Sequence, residues 1–332
     1  MADSSASEHL QLLSGGYVVA RALHVVAELG VADILGKTPQ TAEALAAAAG
    51  AHPEALARVL RLLRAHGVFE LEKGRWRHTP ASRLLRADHP QSMRAFVQQM
   101  GLSPLWTSVG ALEHSVRTGE PAGDDVFPGG WWGYLLSNPV AGRIYDASMA
   151  AKARGQIAGV LDAYDFSGLT SVADVGGGGG HLLSAVINTT PGATGVLIDL
   201  HHVIDAAAAA GLESDRLKLM AGDFFIDDLP ACDAYLLMEV IHDWDDERSA
   251  MILSSVRRAA PEGARILLIE SIVPADPQPD WSKVLDILML SLFAGKQRTA
   301  VEYQHLLEAS GFRFEREIPT VGGVSILEAV AV

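Results

Sequence analysis

Asp174-Val-Gly176-Gly-Gly178-Gly-Gly180 is the stretch that decides the fold of this chain. It begins within a short, mostly apolar run at 172–175 that is typical of a buried strand, and a helical segment begins directly after it. Glycines at a strand-to-helix turn let the backbone approach a ligand closely, although a tight turn alone also explains them. The dinucleotide fingerprint would require a third glycine where His181 stands. The run fits the pattern acid-x-Gly-x-Gly-x-Gly instead.

The sequence after this turn alternates between strand-like and helical segments. The strand-like runs lie at 195–198, 217–220, 234–238 and 265–269, and the helical segments at 181–186, 203–210 and 248–259. Such alternation predicts a mostly parallel sheet covered by helices on both faces. Two runs at 312–318 and 324–330 are predicted to complete the sheet as an antiparallel pair. The fold class is therefore α/β.

The part of the chain before the sheet is predicted to be almost wholly helical. Apolar spacing predicts a long second helix closed near Gly36, a helix from Thr41 to Gly50 and another from Pro53 to Gly67. A β-hairpin is expected around the turn at Lys73-Gly74. Helices followed by a hairpin are the order of a winged-helix module.

A loop and a long helix are predicted to connect these two parts. The segment 119–133 is rich in Gly, Pro and Asp and is interpreted as a loop that carries Trp131 and Trp132, and a helix follows at 139–164. We therefore predict a helical winged-helix-like domain at 1–105, a helical linker at 106–165 and the α/β domain at 166–332.

The composition is that of a globular protein of a reducing compartment. Of 332 residues, 49% are hydrophobic and 20% are charged, which allows a sizeable core. Cys232 is the only cysteine, so we expect it to be inert packing and the protein to be cytoplasmic. The polar start predicts no signal peptide, and the absence of a run of ~18 apolar residues predicts no membrane-spanning segment. The net charge of −14 argues against a nucleic-acid partner.

Candidate ligand-binding groups converge at one edge of the predicted sheet. Ligands of open α/β sheets bind outside the carboxyl ends of the strands. Five consecutive strands end here on the glycine turn or on an ionisable residue, the latter being Asp199, Asp223, His242 and Glu270. This convergence predicts a binding site at the edge.

The spacing of the acidic residues suggests a nucleoside. Asp199 lies about 20 residues beyond the glycine turn, where a carboxylate binds ribose hydroxyls. Its alternative role is an N-cap for the following helix. Asp223 and Phe224 suit an adenine, with a carboxylate for its amino group and a ring for its face. The alternatives for these two are a turn residue and a core aromatic.

Four motifs together resemble a known family. The glycine run, Gly222-Asp-Phe-Phe, Ile241-His-Asp-Trp-Asp-Asp-Glu and Gly295-Lys-Gln-Arg-Thr resemble, in order and spacing, the plant caffeic acid and bacterial antibiotic-type small-molecule O-methyltransferases. The resemblance covers nearly the whole chain, and the His-Asp-Trp-x-Asp-Glu block is its specific part. It implies a Rossmann-like class I methyltransferase sheet and an N-terminal, all-helical winged-helix-type dimerisation domain. It also implies a homodimer that uses S-adenosyl-L-methionine, yields S-adenosyl-L-homocysteine and methylates a hydroxyl of a small aromatic acceptor.

The resemblance also implies roles for individual residues. His242 would be the general base and Glu270 the carboxylate that holds its imidazole, with no metal. Gly176 would contact the methionine part of the cofactor. The other implied cofactor-binding residues are Asp174, Gly178, Asp199, Leu200, Gly222, Asp223, Phe224, Phe225 and Glu239. The implied acceptor-binding residues, partly in the linker, are Tyr145, Met149, Asp243, Met289 and Gln297.

The chemistry agrees with a histidine base. A sulfonium methyl is already an activated electrophile, whereas a phenol with a pKa near ~10 is mostly protonated at neutral pH. A histidine with a pKa near ~6.5 can accept that proton, which contributes roughly 10²–10⁴-fold. Gln297 departs from the family, which commonly has Glu there, so one of two carboxylates that steady the histidine is missing.

Three other functions fit parts of the sequence. Arg58, Arg61 and Arg64 could read DNA from a recognition helix, although such a stripe is normally a solvated face. A metal could be held by His242, Asp243, Asp245 and Asp246; alternatively, the acids after Trp244 begin a helix and favour its positive end. A non-methylating relative, such as a cofactor-dependent hydroxylase, would have the same fold.

Overall fold

The computed structural model describes residues 2–123, 127, 129–293 and 295–332. Its contacts divide the chain into two compact units. The first comprises Met1–Thr107 with Phe127–Ala151, and the second Ser108–Val126 with Lys152–Val332. The domain limits predicted at 105 and 165 stay predictions.

The first unit is helical apart from one hairpin. Its helices are α1 (Ala2–Ser14), α2 (Gly16–Glu28), α3 (Val31–Leu35), α4 (Ala42–Ala49), α5 (Pro53–Ala65), α6 (Pro80–Arg83), α7 (Arg94–Met100), most of α8 (Ser103–Gly110), α10 (Gly130–Ser137) and the first half of α11 (Pro139–Ala163). The hairpin pairs β1 (Phe69–Glu72) with β2 (Arg75–His78). The predicted order of helices and hairpin is confirmed.

Helix α5 shows how the sequence pattern becomes packing. Proline at its first position and the His52 side chain, which accepts from the Ala55 N–H, begin the helix. Leu56, Leu60 and Leu63 are buried along one stripe. The arginines that could read DNA lie on the exposed opposite face, as a solvated stripe would: Arg58, Arg61 and Arg64.

Two predictions for this region are wrong. The long second helix is broken, because Gly30 adopts a left-handed conformation (φ 65°) that ends α2 and starts α3. Trp131 and Trp132 lie in helix α10 rather than in a loop. Burial of Trp131 and Leu135, four residues apart, stabilises that helix. Residues 124–126 and 128 of the predicted loop lie outside the described residues.

The second unit is built on a seven-stranded sheet. Its strands are β3 (Ser171–Val175), β4 (Thr194–Asp199), β5 (Leu217–Ala221), β6 (Ala234–Met238), β7 (Arg265–Glu270), β8 (Phe312–Pro319) and β9 (Ser325–Ala331). Its helices are α9 (Leu112–Thr118), α12 (His181–Thr189), α13 (His201–Ala209), α14 (Asp246–Ala259), α15 (Trp281–Leu292), α16 (Ala300–Ala309) and a 3₁₀ turn at Ile241–Asp243. The strand order is β5-β4-β3-β6-β7-β9-β8.

Burial on both faces explains why the central strands are continuous apolar runs. In β6, Tyr235 and Leu237 belong to one core cluster, and Ala234 and Leu236 belong to the other. Strands β3 to β7 pair in parallel, and β8 and β9 complete the sheet in antiparallel fashion, as predicted. All carboxyl ends of the parallel strands therefore lie at one edge.

Among the described residues, one bent helix pair is a weak candidate for a membrane span. No single helix has the length and apolar character to cross a bilayer, and only the bent pair Ser5–Ser14 with Gly16–Glu28, with a 42° bend, passes by length and composition.

Candidate active site

The glycine turn lies at the carboxyl edge of the sheet. Gly176 and Gly178 have φ values of 72° and 57°, a region that residues with a side chain rarely adopt. A Cβ atom on Gly176 would lie 3.1 Å from the side chain of Val240 and 3.5 Å from the ring of Phe224. The turn thus contacts the ends of β6 and β5, where a ligand can reach its backbone.

Asp199 is held by backbone groups at this edge. Its Oδ2 accepts a hydrogen bond from the Gly178 N–H at 2.8 Å, and its Oδ1 accepts one from the Leu200 N–H at 2.7 Å. The alternative role as a helix N-cap is wrong, because Leu200 is the N-cap residue of α13 and no side chain caps it. Each carboxylate oxygen keeps a lone pair for a further donor, such as a ribose hydroxyl.

The loop after β5 places two aromatic rings beside the turn. Asp223 Oδ1 accepts from the Phe225 N–H at 2.9 Å, and Gly222 donates to the Asp199 carbonyl oxygen at 3.0 Å. The Phe224 and Phe225 rings lie 4.8 Å apart and pack against the core. Both alternatives for Asp223 and Phe224, a turn residue and a packed aromatic, are therefore present, and the adenine contact stays a prediction.

Asp174 lies beneath the glycine turn. It is 1% exposed, and a Cβ atom on Gly177 would overlap its carboxyl carbon. Burial, reinforced by the charge of Asp199 and opposed by the Leu183 N–H, raises the pKa of Asp174 to about 7. Its position suits support of the turn, and its predicted contact with the cofactor stays a prediction.

His242 and Glu270 form a buried pair at the ends of β6 and β7. Glu270 is fully buried, and its Oε2 lies 2.6 Å from Nδ1 of His242, which is 7% exposed. Glu270 Oε1 accepts from the Ile241 N–H at 2.9 Å. With its proton on Nδ1, the imidazole has Nε2 available as an acceptor. Asp243 Oδ1 lies 3.4 Å from that Nε2.

Three carboxylates control the protonation of this histidine. Burial disfavours the charged imidazole, but Glu270, through its charge and its hydrogen bond, together with Asp243 and Glu239, outweighs burial and raises the pKa of His242 to about 9. Burial raises the pKa of Asp243, with His242 opposing it. The site therefore makes His242 a stronger base than a free imidazole.

Two residues that the sequence reasoning did not assign to the site brace His242. Arg298 is fully buried and donates to the carbonyl oxygens of Ile241 at 3.2 Å and Trp244 at 2.9 Å. Gly295 lies against the same turn, where any Cβ atom would overlap the His242 carbonyl oxygen. Both belong to the motif Gly295-Lys-Gln-Arg-Thr, and membership of that motif was the sequence signal that could have assigned them to the site.

The predicted acceptor-binding residues lie in both units. In the second unit, Met289 in α15 is 7% exposed and Gln297 is 4% exposed. Neither side-chain polar atom of Gln297 has a hydrogen-bond partner within the described residues. In the first unit, Tyr145 makes edge contacts with the rings of Trp131 and Trp132, both at 5.7 Å, and Met149 follows on the same helix.

The acidic residues that could hold a metal have structural roles in the fold. Asp245 is the N-cap of α14 and accepts from the Arg248 N–H at 2.7 Å, while Asp246 contacts Lys296 and Arg298. In the described part of the chain, no group of three or more His, Cys, Asp or Glu side chains could hold a metal ion. The prediction that these acids begin a helix is confirmed.

The donor set fits a nucleoside-bearing cofactor. The glycine turn allows a ligand to approach its backbone closely. The Asp199 carboxylate, fixed by backbone N–H groups, suits a ribose, and the aromatic rings beside it suit a base. The fold and this edge define a class, the Rossmann-like S-adenosylmethionine-dependent methyltransferases.

Family comparisons identify the particular group. The O-methyltransferase domain matches residues 110–313, and the O-methyltransferase dimerisation domain matches residues 10–88. The chain belongs to the O-methyltransferase family and is an S-adenosylmethionine-dependent O-methyltransferase with a dimerisation domain. The predicted fold class, enzyme class and cofactor are confirmed.

Individual relatives share almost the full length. Phenazine O-methyltransferase PhzM of Lysobacter antibioticus is 41% identical over 325 residues, 96% of this chain and 94% of the relative. The mitomycin biosynthesis 6-O-methyltransferase of Streptomyces lavendulae is 36% identical over 98% of this chain and 95% of the relative. The crystal structure of CalO1, a methyltransferase in calicheamicin biosynthesis in its SAH-bound form, matches with a TM-score of 0.89 at 33% identity and covers 100% of both chains.

Proposed function

We propose that this enzyme methylates a hydroxyl of a small aromatic metabolite and that His242 is its general base. The observation that carries the proposal is the buried His242–Glu270 pair, 2.6 Å apart, at the sheet edge beside the glycine turn. The relatives named above act, by their names, on a phenazine and in mitomycin biosynthesis, which supports an acceptor of that chemical kind.

The geometry supports one direction of proton movement. Glu270 holds the Nδ1–H of the imidazole, so Nε2 is the atom that accepts the acceptor's hydroxyl proton. The acceptor oxygen becomes nucleophilic as that proton leaves. S-adenosylmethionine supplies a methyl group that requires no further activation. Because carboxylates raise the pKa of His242 to about 9, transfer from a phenol with a pKa near ~10 is close to balanced.

The surroundings of this reaction are also part of the proposal. In the second unit, the buried Met289 and Gln297 are proposed to contact the acceptor, and the acceptor-binding roles implied for Tyr145 and Met149 stay predictions. A homodimer is supported by the dimerisation domain and by exposed apolar side chains of α1 and α2, such as Leu12 at 72% and Tyr17 at 65%. A cytoplasmic location is supported by Cys232, the only cysteine of the sequence, which is buried and free.

Product mass tests the proposal directly. The protein is incubated with labelled S-adenosylmethionine and a panel of phenols, hydroquinones and hydroxyphenazines. We expect an acceptor to gain one CH₂ and the label, with loss of its ionisable hydroxyl. A gain of oxygen instead would identify a hydroxylase, and salt-dependent retention of duplex DNA would favour a regulator.

A further inference from the structure

The first unit contains a cavity in a basic part of an otherwise acidic chain. Residues 1–107, which make up most of this unit, contain 11 Lys and Arg against 9 Asp and Glu, whereas the whole chain contains 26 against 40. The cavity has a volume of about 670 Å³ and lies between the turn after α3, the hairpin, and α6 with the turn that follows it. Pockets that hold small organic molecules have volumes of this size.

The lining of the cavity favours an anion. Its four cationic side chains come from all three segments: Lys37, Arg77, Arg83 and Arg86. Its acidic residues are Glu70 and Asp88. Because the cations outnumber the acids and converge from separate segments on one concave surface, the field inside the cavity attracts negative charge.

Two of the arginines are fixed in place by carboxylates. Arg86 donates through Nε and Nη2 to the two carboxylate oxygens of Asp88, at 2.8 and 2.7 Å. Arg77 donates through Nε to Glu70 and through Nη1 to Glu72. Nη1 of Arg86 and Nη2 of Arg77 remain as donors for a further acceptor. Guanidinium groups that are already oriented lose little side-chain entropy when they bind an oxyanion.

The other two cations neutralise no carboxylate of the fold. Lys37 and Arg83 are exposed, and neither has an ion-pair partner in the part of the chain that the structure describes. Their neighbour His78, which also lines the cavity, responds to the positive field. Burial, followed by the charges of Arg86 and Arg83, lowers the pKa of His78, against the opposing effect of two backbone carbonyl oxygens. The free positive charge is therefore available to a ligand.

We propose that this cavity binds a small phosphate-bearing metabolite with at least two negative charges. Guanidinium groups match phosphate oxygens through paired hydrogen bonds, and a lysine ammonium adds a point charge. Walls on three sides suit a compact ligand better than a duplex. All residues of this site belong to the first unit, whereas the carboxyl edge of the sheet belongs to the second. A ligand that contacts all three segments also stabilises the folded unit.

Calorimetry with inorganic triphosphate tests the proposal. S-adenosylhomocysteine is present at saturation, so that the cofactor site is occupied, and the ionic strength is held constant. We expect one triphosphate to bind per chain. Lys37→Gln and Arg83→Gln should each weaken that binding about 10-fold, the effect of losing one hydrogen bond to a charged group. Since neither side chain has an ion-pair partner among the described residues, both variants should melt at the wild-type temperature without triphosphate.

The matched control is Arg64→Gln, which removes the same charge from an exposed arginine of α5 outside the cavity. It should leave the affinity within about 2-fold of wild type. Equal weakening by all three substitutions would overturn the proposal, because the anion would then respond only to the net charge of the unit. A wild-type protein that binds no triphosphate would overturn it as well.

Two further ligands distinguish the chemistry and its source. Succinate at the same ionic strength should bind at least about 10-fold more weakly than triphosphate, because a carboxylate offers fewer oxygens to the guanidinium groups. Equal affinity for succinate would contradict the assignment to phosphate. Duplex DNA that bound more tightly than triphosphate at equal phosphate concentration would assign the surface to nucleic acid instead.

Discussion

The two halves of the carboxyl edge hold their acidic side chains in different ways. On the β4–β5 half, Asp199 and Asp223 accept hydrogen bonds from backbone N–H groups. On the β6–β7 half, Glu270 and Glu239 pair with the ionisable side chains of His242 and Lys152. The first half depends on chain geometry and the second on charge. We therefore expect substitutions on the first half to weaken nucleoside binding and substitutions at the His242–Glu270 pair to slow proton transfer.

Replacing the base should have the largest effect. We expect His242→Ala to lower kcat by roughly 10²–10⁴-fold, because no group then accepts the hydroxyl proton. Affinity for S-adenosylhomocysteine should stay near that of wild type, since the nucleoside half is untouched. Steady-state kinetics and calorimetry on the same preparation measure both. Near-normal turnover would remove His242 from the mechanism.

Replacing the carboxylate that orients the base should have a smaller but more specific effect. In Glu270→Gln, the amide no longer holds the proton on Nδ1, and we expect kcat to fall roughly 10²-fold. The loss of its charge lowers the pKa of His242 from about 9. Because the neutral imidazole is the base, kcat/KM of the wild-type enzyme should rise with pH until the pH reaches the pKa of His242. In the variant this pKa is lower, so the rise in kcat/KM should occur at lower pH.

The pH profile distinguishes this role from a structural one. A variant that was merely destabilised would lose activity without moving the acid limb of the profile. An unchanged midpoint for Glu270→Gln would therefore contradict the electrostatic account of the β6–β7 half.

The smallest effect is expected on the backbone-bound half. The Asp199 carboxylate accepts hydrogen bonds from two backbone N–H groups. In Asp199→Asn, the amide NH₂ faces one of these two donors, and that hydrogen bond is lost. We expect affinity for S-adenosylhomocysteine to fall about 10-fold. At saturating cofactor, kcat should be nearly unchanged. A loss in kcat with intact affinity would show that the two halves do not act separately.

Much of the fold could be predicted because its signals are local. The glycine run and the apolar runs predicted the parallel strands, and the antiparallel pair at the end of the chain is also confirmed. The errors arose where a local signal was overlooked or outweighed. Gly30 breaks the second helix, and the last four residues of the predicted loop, from Gly130 to Gly133, begin the helix α10, in which Trp131 is buried.

Less of the candidate site than of the fold could be predicted from the sequence. Strand ends were sufficient to bring Asp199, Asp223, His242 and Glu270 to one edge, because parallel strands share that edge. Arg298 was missed because its contacts lie 54 to 57 residues away along the chain, at Trp244 and Ile241. Spacing along the sequence carries no signal for such a contact.

The sequence by itself determined the family, the strand ends and the types of group placed there, because these depend on residue identity and local order. Tertiary structure alone decided the protonation of His242 and the pairing of Glu239 with Lys152. Both depend on burial and on distances between residues of separate elements, and electrostatic energy varies with those distances and with the loss of water, not with position in the chain.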